Sequence, residues 1–206
     1  MTNTPKAHSW IIGIDEVGRG PLAGPVYVCG VAMKVGQYKK ARWKGLTDSK
    51  QMRVRAREVW YARAKEMKAN GEIRFVFASR SAARIDTKGI SVCIRECIAK
   101  ILKDLLVDPK DTQVLLDGGL KAPSLYIDQK TVIKGDQKHK IISLASVVAK
   151  VTRDAVMVRM AKKYPYFGWE QNKGYGTKVH ILLIKKVGIS PEHRITFLTS
   201  ILDKSQ

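Results

Sequence analysis

Acids are scarce in this chain. Its 206 residues hold 18 Asp and Glu against 38 Lys and Arg, a formal charge of +20. Such an excess says nothing about the fold, but it favours polyanionic partners through counterion release and long-range steering. Cysteine is also scarce. Cys29, Cys93 and Cys97 form an odd set with no CxxC pair, which excludes a disulfide framework and points to a reducing compartment. Cys93 and Cys97, four apart, share a helical face and read as small buried residues. His8, His139, His180 and His193 show no ligand spacing. No apolar run is long enough to span a bilayer, and MTNTPKAHSW lacks the apolar centre of a signal peptide, so a cytoplasmic protein is expected. Repeats and low-complexity stretches are absent. The hydrophobic share of 45% and the length fit one domain with a real core.

What is present begins with Trp10 to Gly30, WIIGIDEVGRGPLAGPVYVCG. An apolar run reads as a buried strand and ends in Asp15 and Glu16. Gly18-Arg19-Gly20-Pro21 follows, and then a second, β-branched strand from Val26. Asp48 or Ser49 is expected to cap a helix from Lys50 to Ala69, with Met52, Ala56, Val59, Trp60 and Met67 on its apolar stripe. Glu72 to Ser79 reads as a strand and Ser91 to Val107 as a helix closed by Asp108-Pro109. Gln113 to Leu116 is a short strand running into Asp117-Gly118-Gly119. Leu125 to Ile127 and Thr131 to Lys134 read as two more, the second ending in Gly135-Asp136. Ile141 to Met160 is apolar nearly all round and reads as a central helix. Thr177 is expected to cap a helix to Val187, closed by Gly188, and Ser190-Pro191 to open a last one. The aromatic stretch Tyr164 to Asn172 has no legible role beyond packing. Alternating strands and helices argue an α/β sheet with a small helical C-terminal part.

Asp15, Glu16, Asp117 and Asp136 therefore stand at three expected strand ends. Hard cations such as Mg²⁺ and Mn²⁺ take oxygen ligands, and two of them can serve phosphodiester hydrolysis. In a regular strand Asp15 and Glu16 point to opposite faces, so sharing one cluster requires a lost pleat or a site at the strand's edge.

GIDEVGRGPLAGPV from Gly13, LLDGG from Leu115, KGD from Lys134, ASVVAKVTRD from Ala145 and KGYGT from Lys173 resemble, in this order, the motifs of ribonuclease HII. The likeness spans roughly residues 10 to 200. It implies a ribonuclease H-like mixed sheet flanked by helices, with a catalytic domain at 9–163 and a helical C-terminal extension at 164–206 packed on it. It implies cleavage of the RNA strand of RNA/DNA duplexes and cutting 5′ to ribonucleotides embedded in duplex DNA, with two Mg²⁺ or Mn²⁺ ions, by a monomer. By the same resemblance Asp15, Glu16, Asp117 and Asp136 carry the metal-binding carboxylates, with Asp154 as the alternative fourth acid. Gly18, Arg19 and Gly20 match the loop that meets the 2′-hydroxyl. Tyr175 matches a tyrosine that stacks on a sugar, and Lys50 a lysine beside the scissile phosphate. Two other readings are a nuclease for DNA junctions on the same fold and a basic nucleic-acid binder in which only the lysines matter.

Overall fold

The computed structural model describes residues 8–202. Strands β1 (Trp10–Val17) and β2 (Val26–Lys34) form the expected antiparallel pair, in register from Trp10 against Lys34 to Val17 against Tyr27. Helices α1 (Val35–Lys40) and α2 (Val54–Ala69) lead to β3 (Ile73–Arg80), which pairs antiparallel with β2. Helices α3 (Ala82–Lys88) and α4 (Ile90–Asp104) then return the chain to β4 (Thr112–Asp117) and β5 (Gln129–Val132). Both run parallel to β1, giving a mixed sheet in the order β3-β2-β1-β4-β5. The short α5 (Gly135–Lys138) precedes the long α6 (Lys140–Lys163), and α7 (Trp169–Asn172), α8 (Lys178–Val187) and α9 (Ile195–Leu202) complete the chain. No helix among the described residues is long and apolar enough to cross a membrane.

The two-residue period of β1 sorts its side chains between two cores. Ile11 packs with Cys29, Val31 and Met33 under α2 and α6, whereas Ile12 and Ile14 pack with Cys97, Ile98 and Ile101 of α4 on the other face. Every residue from Ile141 to Ala149 is buried, as expected of a central helix. Two glycines let these helices approach the sheet. A Cβ at Gly13 would collide with the Ile141–Ile142 backbone, and one at Gly30 would meet Ile101. The first turn of α6 therefore lies directly on β1, two residues before Asp15.

Local departures from the expected elements have identifiable causes. Leu125 to Ile127 is a turn rather than a strand: Tyr126 drops into the core and donates to the Leu102 carbonyl, leaving Leu125 and Ile127 exposed. The next strand runs from Gln129 to Val132, and Lys134 takes a left-handed φ of 54°. Asp136 consequently sits in the first turn of α5, not at a strand end. Helix α2 starts at Val54 without a side-chain cap, because Asp48 instead closes a turn on the Lys50 N–H and Ser49 binds Ser146. Val59, expected on its buried stripe, is exposed. Thr177 does cap α8, accepting from His180 N–H. Ser190 opens no helix: its N–H donates to His193, and the N-terminus of α9 is held by Asp86 of α3, which accepts from Ile195 and Thr196.

The aromatic stretch becomes a small third core, with Phe167 and fully buried Trp169 against Met157, Ile184 and Leu198. Within it Trp169 Nε1 donates to His180 Nε2 at 3.0 Å, and the Nε2 atoms of His180 and His193 lie 3.2 Å apart. Burial, and then His180, pull His193 down to about 4, so both rings are neutral in the folded chain at neutral pH.

The close approach at Gly13 yields a direct test. Gly13→Ala must push the first turn of α6 off the sheet, and overpacking of this kind costs about 1–3 kcal/mol. Urea unfolding followed by far-UV circular dichroism should show a lowered midpoint; an unchanged midpoint would show that α6 does not rest on β1 there.

Candidate active site

Parallel pairing of β1 with β4 sets the first two acids side by side. The ladder matches Ile14 with Leu116, so the next step along both strands brings Asp15 beside Asp117 on one face. Asp117 Oδ1 then accepts from Gly135 N–H at 2.6 Å, which ties the start of α5 to the end of β4 and brings in Asp136. One carboxylate oxygen from each of Asp15, Asp117 and Asp136 lies within 4.8 Å of the other two. Asp15 is buried beneath the first turns of α6, held by hydrogen bonds from Ser146 and from the Glu16 N–H.

Glu16 stands outside that trio. β1 keeps its pleat through Val17, so no break brings Glu16 onto the face of Asp15. Glu16 is the penultimate residue of the strand, and its carboxylate lies 3.8 Å from the Arg19 guanidinium and still feels Asp117. Asp15 feels Glu16, Asp117 and Asp136, and Glu16 and Asp136 each feel Asp117. Burial, and then Glu16, hold the Asp15 carboxyl well above the usual range. Burial pushes Glu16 up to about 6, and burial with the nearby Asp48 pushes Asp136 to about 6. Lys50 is raised as well: burial works against its charge, but Asp15, Asp48, Asp136 and Asp117 outweigh it. This is a nest of oxygen donors that is short of positive charge, without imidazole or thiolate among them, and it suits a hard divalent cation.

Asp15 and Glu16 open onto a cleft of about 440 Å³ whose other walls include Ser49, Lys50, Ser146 and Tyr175. Tyr175 faces it from the loop before α8, with Lys150 and Arg153 within 6 Å of its ring at 5.9 and 5.7 Å. That loop is fastened to the one after β1: Leu22 and Ala23 N–H both donate to the Gly174 carbonyl, at 2.8 and 3.2 Å. Gly174 has a φ of +83° and no space for a Cβ against Ala23, so only glycine makes this junction.

A family model, Ribonuclease HII, matches residues 12–200. The chain belongs to that family. It is 39% identical to ribonuclease HII of Clostridium beijerinckii over 196 residues, covering 95% of this chain and 70% of that one. Its fold matches that of ribonuclease H2 from Pyrococcus horikoshii with a TM-score of 0.75 at 24% identity, covering 95% of this chain and 98% of that one. Bst-RNase HIII, solved in complex with Mn²⁺, shares the fold with a TM-score of 0.67 at 16% identity, over 98% and 72% of the two chains. As a ribonuclease HII the protein is an enzyme, a nuclease that hydrolyses phosphodiester bonds.

Within this ribonuclease HII, the structure gathers Asp15, Glu16, Asp117, Asp136, Lys50 and Tyr175 around one centre. Arg19 and Gly20 are exposed at its rim, and Gly18 turns the chain there with a φ of 84°. Asp154 lies elsewhere, two turns beyond Ser146 on α6, paired with Lys150 at 2.9 Å. Three neighbours were not read from the sequence as part of the site. Asp48 is buried against Asp136, Ser146 binds Asp15, and Ser49 bonds Ser146 at 2.8 Å. The signal for Asp48 and Ser49 was the triplet with Lys50, where a helix cap competed as an explanation. Ser146 had no signal of its own within an apolar helix.

Raised carboxyl pKa values carry a stability signature. Such a group binds its proton more tightly when folded, so its contribution is full below the unfolded carboxylate pKa and is lost as pH rises through the folded one, about 6 for Glu16 and Asp136, with Asp15 raised in the same direction. In EDTA at pH 8, Asp15→Asn should therefore raise the thermal midpoint, with a smaller gain at pH 5. A lower midpoint at pH 8 would mean that the Asp15 charge is compensated without a cation.

Proposed function

We propose that this ribonuclease HII hydrolyses the RNA strand of RNA/DNA duplexes and cuts on the 5′ side of ribonucleotides embedded in duplex DNA, leaving 5′-phosphate and 3′-hydroxyl ends. The carrying observation is that Asp15 and Glu16 line one cleft with Lys50 and Tyr175, while Asp117 and Asp136 stand within 4.8 Å of Asp15 and Arg19 of the Gly18–Gly20 loop lies 3.8 Å from Glu16. The acids offer oxygen donors to Mg²⁺ or Mn²⁺, with Asp15, Glu16, Asp117 and Asp136 holding two ions in the active complex. Bound there, such ions would supply Lewis-acid chemistry, lowering the pKa of a water and offsetting charge on the leaving oxygen.

The chain's own residues do the rest. Ser146 and the Glu16 N–H hold Asp15 in place, and Gly135 N–H does the same for Asp117. Lys50, from the loop before α2, neutralises the phosphate that the acids alone would repel. Exposed backbone at Arg19 and Gly20, turned outward by the buried Gly18, meets the 2′-hydroxyl, the group that separates RNA from DNA. Tyr175 presents its ring to the neighbouring sugar, and the +20 charge draws the duplex to the surface. This reading includes a catalytic unit at 9–163 supported by a helical extension at 164–206, acting as a monomer in the cytoplasm.

A duplex with one ribonucleotide, incubated with Mg²⁺ or Mn²⁺, tests this. Incision on the 5′ side of the ribonucleotide is expected, and Asp15→Asn or Asp117→Asn should abolish turnover while leaving duplex binding largely intact. Equal cutting of an all-DNA duplex would contradict it, as would turnover that survives loss of both acids.

A further inference from the structure

Two arginines are fully buried, and among the described residues neither lies within ion-pair distance of a carboxylate. Arg153 of α6 donates to the carbonyls of Pro25, Ala23 and Lys173. Arg194, just before α9, donates to Gly18 at 2.7 Å, to Arg19 at 2.9 Å, and to Gly24 through Nε and Nη2 at 3.0 and 2.9 Å. A guanidinium spent wholly on backbone carbonyls is a poor way to gain stability, since burying its charge is costly. Burial, and then Arg153, lower Arg194 to about 9, so it still carries its proton at neutral pH. The planar fork is suited to fixing several acceptors in one geometry.

The acceptors differ in how else they are held. Leu22, Ala23 and Gly24 are fastened independently through backbone bonds to Gly174, Glu192 and Arg194 N–H. Gly18 and Arg19 have no such fastening: among the described residues their carbonyls are gripped by Arg194 alone. With those carbonyls turned toward Arg194, the N–H groups of Arg19 and Gly20 donate to no acceptor among the described residues, which leaves them to meet a hydroxyl oxygen.

We propose that Arg194 is a positioning residue for ribose discrimination: its grip on the Gly18 and Arg19 carbonyls holds the loop after β1 in the conformation that reads a 2′-hydroxyl. This rests on the assignment of that loop as the ribose sensor. Arg194 touches no substrate; it acts through the backbone it orients. Lysine in its place keeps the charge but cannot fork to the same carbonyls. A loose loop forfeits alignment, and misplacement of about 1 Å costs on the order of a hundredfold in rate.

The test compares single-turnover rates, in Mn²⁺ with enzyme in excess, on a duplex with one ribonucleotide and on the same duplex with deoxyribose at that position. Arg194→Lys is the main variant, and Arg194→Gln serves if a buried lysine prevents folding. Asp86→Asn is the control, because it weakens the cap on α9 and leaves the Arg194 fork intact. The wild type should prefer the ribonucleotide; Arg194→Lys should lose about a hundredfold of that preference, whereas Asp86→Asn lowers the thermal midpoint and keeps it. If the Arg194 variants lose stability but retain the preference, Arg194 is merely structural and the inference falls alone. If the wild type shows no preference, the ribose-sensor assignment itself falls, and the inference with it.

Discussion

Repulsion among carboxylates that the fold forces together is the constraint on which the rest of the structure turns. Parallel pairing of β1 with β4 leaves Asp15 beside Asp117, and the bond from Gly135 N–H to Asp117 draws Asp136 in after them. Their burial raises Asp15, Glu16 and Asp136 together, so the site opposes folding when it is empty of positive charge. The cost is carried by two apolar layers either side of the sheet, Ile11, Cys29 and Val31 under α6, and Ile12, Ile14 and Ile98 under α4. A centre of this kind is held for what it binds, which is where strain is expected in an enzyme.

The helical C-terminal part supports the site from a distance. Its aromatic core around Trp169 anchors the loop that carries Tyr175, and the neutral His180–His193 pair ties that loop to the turn before α9, since His180 Nδ1 bonds the Tyr175 carbonyl at 2.9 Å. Gly174 and the two buried arginines then clamp the loop after β1. Polar groups that would be a liability in an ordinary core here find partners, the arginines on backbone carbonyls and the histidines on Trp169, each other and the Tyr175 carbonyl, and the two loops are thereby fixed relative to each other.

Much of this was legible in the chain. The strand pair from Trp10 to Val31 and the central helix from Ile141 follow from apolar runs whose length and period leave little choice. Asp15, Glu16 and Asp117 stood out because acids followed by glycine at the end of a buried run serve packing poorly. Other features escaped because long-range contacts decided them. Tyr126 left an apparent strand to reach Leu102, Ser190 served His193 rather than a helix, and Asp48 was claimed by Asp136 across the fold. His180 and His193 have no spacing that marks a pair, since α8 and the turn after it bring them together. Glu16 shows the limit of strand logic: the pleat holds, and the residue takes part from the end of the strand, on the face opposite Asp15.

The central claim is that Asp15, Asp117 and Asp136 share a cation. Crystals of the protein grown with Mn²⁺ and an uncleavable duplex would test it most directly, by anomalous scattering at the manganese edge. The expected result is density in coordination contact with all three carboxylates. Ordered carboxylates with no anomalous peak between them, or manganese found only at other sites, would contradict it.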